Sequence, residues 1–253
     1  MDKQDSLFLK DGERIDQLYS QDVKIIQSPE VFSFSLDAVL LADFVLPSKK
    51  SGYQIIDLCA GNGAISLFLH SKLAGHITQV ELQPRLADMA TRSVLLNKLQ
   101  DRYSVLNLDI ANIFTKIRKD SADIVICNPP YFTDLPTSKK NPNQYLAIAR
   151  HELTTNLESV LETMSGLLKM NGRGYMVHRP ERLAEILQQA ISHRLMPKRI
   201  RFIYPKPKRE ANMVLIEFIK DGKSGGIRIV PPLTISRDNN EYGPEMQAML
   251  YGK

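Results

Sequence analysis

The sequence predicts an α/β protein: a seven-stranded mixed sheet with helices on both faces, its last two strands forming an antiparallel pair. Two observations carry this. Apolar stretches of strand length alternate with helical patterns from residue 54 to 193, and such alternation builds a parallel sheet covered by helices. The last two strand-like stretches are separated only by Pro205 to Ala211, too short for a crossover helix, so they must pair antiparallel.

The elements follow in order. Gln54 to Leu58 reads as a buried strand and Ala64 to Leu73 as the helix after it. Ile77 to Leu82 is a second strand, followed by a helix from Pro84 to Leu99 with proline in its first turn. Tyr103 to Leu108 and Asp123 to Cys127 are the third and fourth strands. A helix from Leu157 to Met170 stops at Asn171-Gly172, and Arg173 to His178 is the fifth strand. Arg182 to His193 is helical, and Arg199 to Tyr204 and Asn212 to Lys220 complete the sheet. The sixth strand is expected to run parallel to the first. Residues 1–50 read as an extension packed on the core, with a strand pair turning around Ser28-Pro29-Glu30 and a helix from about Asp37. Residues 51–220 are the main domain, and 221–253 an extended tail of the same domain.

Composition excludes several classes. Of 253 residues, 43% are hydrophobic and 24% charged, ordinary for a soluble globular chain. The longest apolar run, Ala38 to Leu46, is interrupted by Asp43, so no membrane partner is expected. Two cysteines, Cys59 and Cys127, form no disulfide framework and point to the cytoplasm. His151 and Glu152 are adjacent and lack further ligands at zinc spacing, so no metal is expected. Net charge is +5, but Lys139 to Arg209 holds 14 Lys or Arg against five Glu and no Asp. A basic stretch of this kind is the footprint of a nucleic-acid partner, against the plainer reading of a solvated face. Oligomeric state stays open, leaning to a monomer.

Asp57-Leu58-Cys59-Ala60-Gly61-Asn62-Gly63 joins the first strand to its helix. Gly61 and Gly63 allow a tight turn and close approach of a ligand. Cys59 stands where a dinucleotide fingerprint has its first glycine, which disfavours a pyrophosphate cradle. Glu81 ends the second strand, where a carboxylate can accept two ribose hydroxyls, and Asp109 follows the third, within reach of an adenine edge. Ligands of open parallel sheets bind at these carboxyl ends.

The fourth strand runs into Asn128-Pro129-Pro130-Tyr131. A rigid turn explains the prolines, but not the amide or the ring. An adenine amine is a poor nucleophile, and its two N–H donors need acceptors fixed in advance. The Asn128 side-chain oxygen and Pro129 carbonyl supply them, Pro130 stiffens the turn, and Tyr131 offers a stacking face.

Together, DLCAGNG, Glu81 and NPPY resemble the class I S-adenosylmethionine-dependent methyltransferases, a Rossmann-like family. The resemblance implies that Asp57, Ala60, Gly61, Asn62 and Gly63 hold the methionine end of S-adenosylmethionine, Glu81 the ribose and Asp109 the adenine, with Phe34 and Asp37 closing over the cofactor. NPPY also serves enzymes that methylate a protein glutamine amide, but these carry a helical N-terminal domain that the first 50 residues are too short to form. Val31 to Ala42, Ala149-Arg150-His151-Glu152 and Tyr204-Pro205-Lys206 are instead similar to bacterial tRNA(Val) adenine-N(6) methyltransferases. That resemblance implies tRNA as partner and an adenine beside the anticodon as target. Another RNA, a glutamine amide, or RNA binding without catalysis remain alternatives. Lys139, Lys140, Arg150, Arg199, Arg201, Lys206, Lys208 and Arg209 are the expected RNA contacts.

Overall fold

The structure is a computed structural model and describes residues 5–31, 34–131 and 156–252. Strands β1 (Arg14–Leu18) and β2 (Val23–Gln27) form an antiparallel hairpin. Its turn lies at Tyr19 to Asp22, not at Ser28 to Glu30. Asp22 takes the left-handed backbone there (φ 53°), which a short polar side chain tolerates better than most. Helix α1 (Leu36–Phe44) follows. The alternating part comprises β3 (Gln54–Leu58), α2 (Ala64–Phe68), β4 (His76–Glu81), α3 (Pro84–Leu96), β5 (Tyr103–Asn107) and β6 (Ala122–Cys127). It continues with α4 (Leu157–Leu167), β7 (Leu168–His178), α5 (Leu183–Ser192), β8 (Leu195–Tyr204) and β9 (Met213–Lys220).

The sheet order is β8-β9-β7-β6-β3-β4-β5, with β9 antiparallel to both of its neighbours and the other six strands parallel. The seven long strands and the antiparallel last pair match the expectation, and β8 runs parallel to β3 through the β7 and β9 pairings. The sheet has nine strands because the tail adds β10 (Arg228–Ile229) and β11 (Leu233–Thr234), both parallel to β8 at its edge. The tail ends in helix α6 (Pro244–Tyr251) rather than in extended chain as its composition suggests. Strand β7 starts at Leu168, five residues before the expected Arg173, and displaces the end of the preceding helix.

Side chains alternate across the strands and fill two cores. Ile55, Ile77, Ile124, Ile126, Tyr175 and Val177 face α1 and α2, meeting Leu40, Leu41 and Leu67. Ile56, Leu58, Val80, Val125 and Met176 face α4, meeting Val160, Leu161 and Met164. The hairpin lies outside the sheet on α3, so its backbone finds partners among side chains. Ile26 donates its N–H to Ser93 Oγ at 3.0 Å, while Asn97 accepts from Lys24 N–H at 2.7 Å and donates to Lys24 O at 2.6 Å.

Candidate active site

Parallel strands deliver their carboxyl ends to one rim, and the chain there carries most of the residues singled out above. After β3 the backbone turns through Cys59 (φ 55°), Gly61 (φ 58°) and Gly63 (φ 85°). Cys59 thus adopts the left-handed conformation where the fingerprint glycine would stand, a strained choice for a side chain with a Cβ. Gly63 has no alternative, because a Cβ on it would lie 2.9 Å from the amide atoms of Gln79. A Cβ on Gly61 would meet nothing within 4 Å, so the crest of the loop faces open space.

Two carboxylates brace this loop. Glu81, 6% exposed at the end of β4, accepts the Gly61 N–H and the Gln83 N–H at 2.8 Å each, one on each oxygen. Burial pushes its carboxyl above the ordinary range, and the Gln83 and Gly61 N–H groups hold it back. Each oxygen keeps a further lone pair for a hydroxyl donor. Asp57 is wholly buried and accepts from Ser66 Oγ at 2.6 Å, while its other oxygen has no partner. Burial pushes its carboxyl up to about 7, against hydrogen bonds from Ser66. Beside it in register, Gln79 is buried with both amide atoms unpaired. Orphaned buried polar groups cost about 1–3 kcal/mol each and mark places where a ligand or water completes the set.

Ala60 donates its backbone N–H to Val80 O and is structural at that atom. Asn62 directs its side-chain amide to Ile26 O at 3.1 Å, which ties the loop to the hairpin rather than offering that group outward. Asp109 accepts from Ala111 N–H at 2.9 Å and caps the turn Ile110–Thr115, leaving one oxygen uncommitted to that cap.

At the end of β6, whose Cys127 is abreast of Leu58, the chain enters Asn128 to Tyr131. The Tyr131 hydroxyl donates to Asp37 Oδ2 at 2.6 Å, and it also contacts Asn128 Oδ1. A phenol has one proton for these two acceptors, and the carboxylate is the stronger partner. Burial first, then the Asp37 carboxylate, holds the phenol well above its usual pKa. Phe34 packs its ring against Phe68 at 5.5 Å between centroids. Asp37 therefore meets Tyr131 from α1, while Phe34, in the segment before it, packs on the core at the end of α2.

His178, at the end of β7, was not singled out in the sequence. It is fully buried, its ring centroid lies 5.3 Å from that of Tyr131 in an edge-on arrangement, and its Nδ1 accepts the Arg179 N–H at 2.8 Å. That bond places the proton of the neutral ring on Nε2, which has no partner. Burial, followed by the nearby Arg182 charge, lowers its pKa to about 4. Gln79 and His178 shared one readable signal, a polar residue inside an otherwise apolar strand.

The basic residues divide. Arg199 is a correction: it is 9% exposed, lies 2.9 Å from buried Glu217, donates to Phe44 O at 2.6 Å and stacks 4.2 Å above the Phe44 ring. An interior guanidinium so engaged is not presented to a phosphate. Arg201 is a second correction, committed to Glu245 at 3.2 Å, Asp43 at 3.5 Å and Pro231 O at 3.0 Å. Lys206, Lys208 and Arg209 lie in the β8–β9 turn, on the same rim as Gly61, with Lys208 and Arg209 exposed. Lys139, Lys140 and Arg150, like His151 and Glu152, lie outside the described residues. Among the described residues no group of side chains suits a metal ion, and no helix is long and apolar enough to cross a membrane.

Comparison with known proteins places this geometry. A family model described as methyltransferase small domain matches residues 22–177. A protein of Phocaeicola vulgatus is 29% identical over 213 residues, 84% of this chain and 86% of its own, and one of Bacteroides fragilis is 28% identical over 182 residues, 72% and 75%. Each bears the name tRNA1(Val) (adenine(37)-N6)-methyltransferase. Among solved structures, a predicted O-methyltransferase of Agrobacterium tumefaciens superposes with TM-score 0.66 at 25% identity, over 85% of this chain and 96% of its own.

Proposed function

Because the chain belongs to the methyltransferase small domain family, we propose that it methylates the exocyclic N(6) amine of an adenine in tRNA, beside the anticodon of a valine tRNA, with S-adenosylmethionine as donor. The observation that carries the reaction class is Asn128-Pro129 at the end of β6, set one strand from the glycine loop. The names of the relatives support the tRNA and its position.

The residues fit the donor. Glu81 has lone pairs left for ribose hydroxyls while its carboxylate is already fixed by two N–H groups. Gly61 presents backbone to open space. The unpartnered Asp57 oxygen suits an ammonium, the charge carried by the methionine end. When bound, S-adenosylmethionine supplies a methyl group activated by its sulfonium.

The protein's part is placement. Asn128 Oδ1 and the Pro129 carbonyl accept the two amine protons and turn the nitrogen lone pair toward the donor, from positions fixed before substrate arrives. Tyr131 leaves Asn128 and stacks on the base. The proton is lost after transfer, so no strong general base is required. Lys206, Lys208 and Arg209 attract phosphates on the same rim. The test is incubation with labelled cofactor and bulk tRNA, followed by digestion to nucleosides. Labelled N(6)-methyladenosine is the expected product; label in protein with unlabelled RNA would overturn the reading and favour a glutamine amide.

A further inference from the structure

Strands β6 and β7 pair in parallel with Cys127 abreast of Met176. His178 ends β7 on the same rim as Asn128 to Tyr131, and its ring packs against that of Tyr131 with centroids 5.3 Å apart. Three facts about His178 then converge. Its Nδ1 is committed to the Arg179 N–H, so the neutral ring carries its proton on Nε2. That N–H is buried and unpartnered. Tyr131, which contacts Asn128 Oδ1, also lies edge-on to the His178 ring and is tethered to Asp37. Tyr131 therefore touches both residues, its hydroxyl on Asn128 and its ring on His178, and a movement that frees Asn128 for a substrate amine also changes the packing on His178.

We infer that His178 is the third hydrogen-bonding group of the base pocket, donating its Nε2–H to a ring nitrogen of the adenine whose amine Asn128 and Pro129 hold. This rests on the adenine reading above. Two acceptors beside one donor complement an edge that offers an amine next to a ring acceptor, which adenine presents with N1 on one side of C6 and N7 on the other. Guanine places O6 where the amine should be and would set oxygen against two acceptors. Burial keeps the imidazole neutral at physiological pH, so it is a single fixed donor rather than a charge.

The experiment uses RNA hairpins carrying adenosine, 1-deazaadenosine or 7-deazaadenosine at the methylated position, with the wild-type protein and His178→Phe. Wild type should lose about tenfold or more in kcat/KM on one of the two analogues, the loss expected when a buried donor is left unpaired. His178→Phe should react slowly with adenosine and treat that analogue within about threefold of it, with cofactor affinity unchanged. If His178→Phe does not fold, His178→Gln, which keeps an N–H donor, should preserve the wild-type preference. Two analogues within threefold of adenosine in wild type, or a penalty undiminished in His178→Phe, would overturn the inference. Wild type that leaves the adenosine hairpin unmethylated would instead remove the adenine reading itself.

Discussion

Arg199→Ala separates an interior role from a substrate role. The substitution leaves Glu217, 1% exposed, with Arg173 as its remaining cation, and strips the donor from Phe44 O and the guanidinium from the Phe44 ring. Removing one partner of a buried pair costs about 3–5 kcal/mol, and a desolvated cation over an aromatic ring adds up to about 2. Arg173 stays within hydrogen-bonding reach, which keeps the total near the lower end, about 3 kcal/mol. For a chain of this size each kcal/mol lowers the midpoint by about 2–4 °C, so the expected fall is about 6–12 °C. Thermal and urea unfolding measure it; tRNA kinetics are then taken at low temperature, where both proteins are folded. The Michaelis constant for tRNA and its salt dependence should match wild type. A midpoint within 2 °C of wild type together with a raised constant would show that Arg199 meets RNA after all.

Asn128→Ala should cut turnover by about 10² or more while leaving cofactor affinity nearly intact, as loss of one preorganised acceptor does; unchanged turnover would remove Asn128 from the chemistry. Asp57, raised from its usual 3.8 to about 7, contributes stability that is fully present below about pH 4 and lost as pH rises through about 7, at up to about 1.4 kcal/mol per unit. His178 is shifted the other way, so its contribution is lost as pH falls from 6.5 toward about 4, and the informative quantity is the difference between wild type and Asp57→Asn. That difference should grow steadily from pH 5 to 7, and a flat one would contradict the buried neutral acid. Lys206→Ala with Lys208→Ala and Arg209→Ala should raise the tRNA Michaelis constant, spare cofactor affinity and flatten the log affinity against log salt slope by about 0.7–0.9 per lost contact. An unchanged slope would move the basic surface elsewhere.

Much of the sheet was legible because its strands are apolar runs closed by polar or glycine turns, and Gln54–Leu58 was bounded to the residue. The positions of Glu81 and Asn128 at strand ends were legible too. The hairpin turns elsewhere than expected because Ser28-Pro29-Glu30 has turn composition, while Tyr19 to Asp22, which makes the turn, has no Gly or Pro. Arg199 misled for a different reason. Its partner Glu217 is on another strand, and the pairing that brings them together is a product of cross-strand register rather than of either sequence segment. Asp57 and Gln79 are likewise abreast only through pairing, so their shared deficit of hydrogen bonds has no local signature.

The seat of β9 between β7 and β8 has a consequence for synthesis. During translation Leu195–Tyr204 emerges before Met213–Lys220, yet the later strand must lie inside it. At about 5–20 residues per second, roughly one to three seconds separate completion of the two. Over that interval β7 and β8 each present an open edge toward the gap, and direct pairing between them would make a regular parallel sheet with no place for the last strand. A nascent chain is spared that trap if β8 stays undocked until Lys220 has appeared. Released chains truncated at Ala211 should therefore be more protease-sensitive at β8 than at β3, and chains that include β9 should be resistant at both.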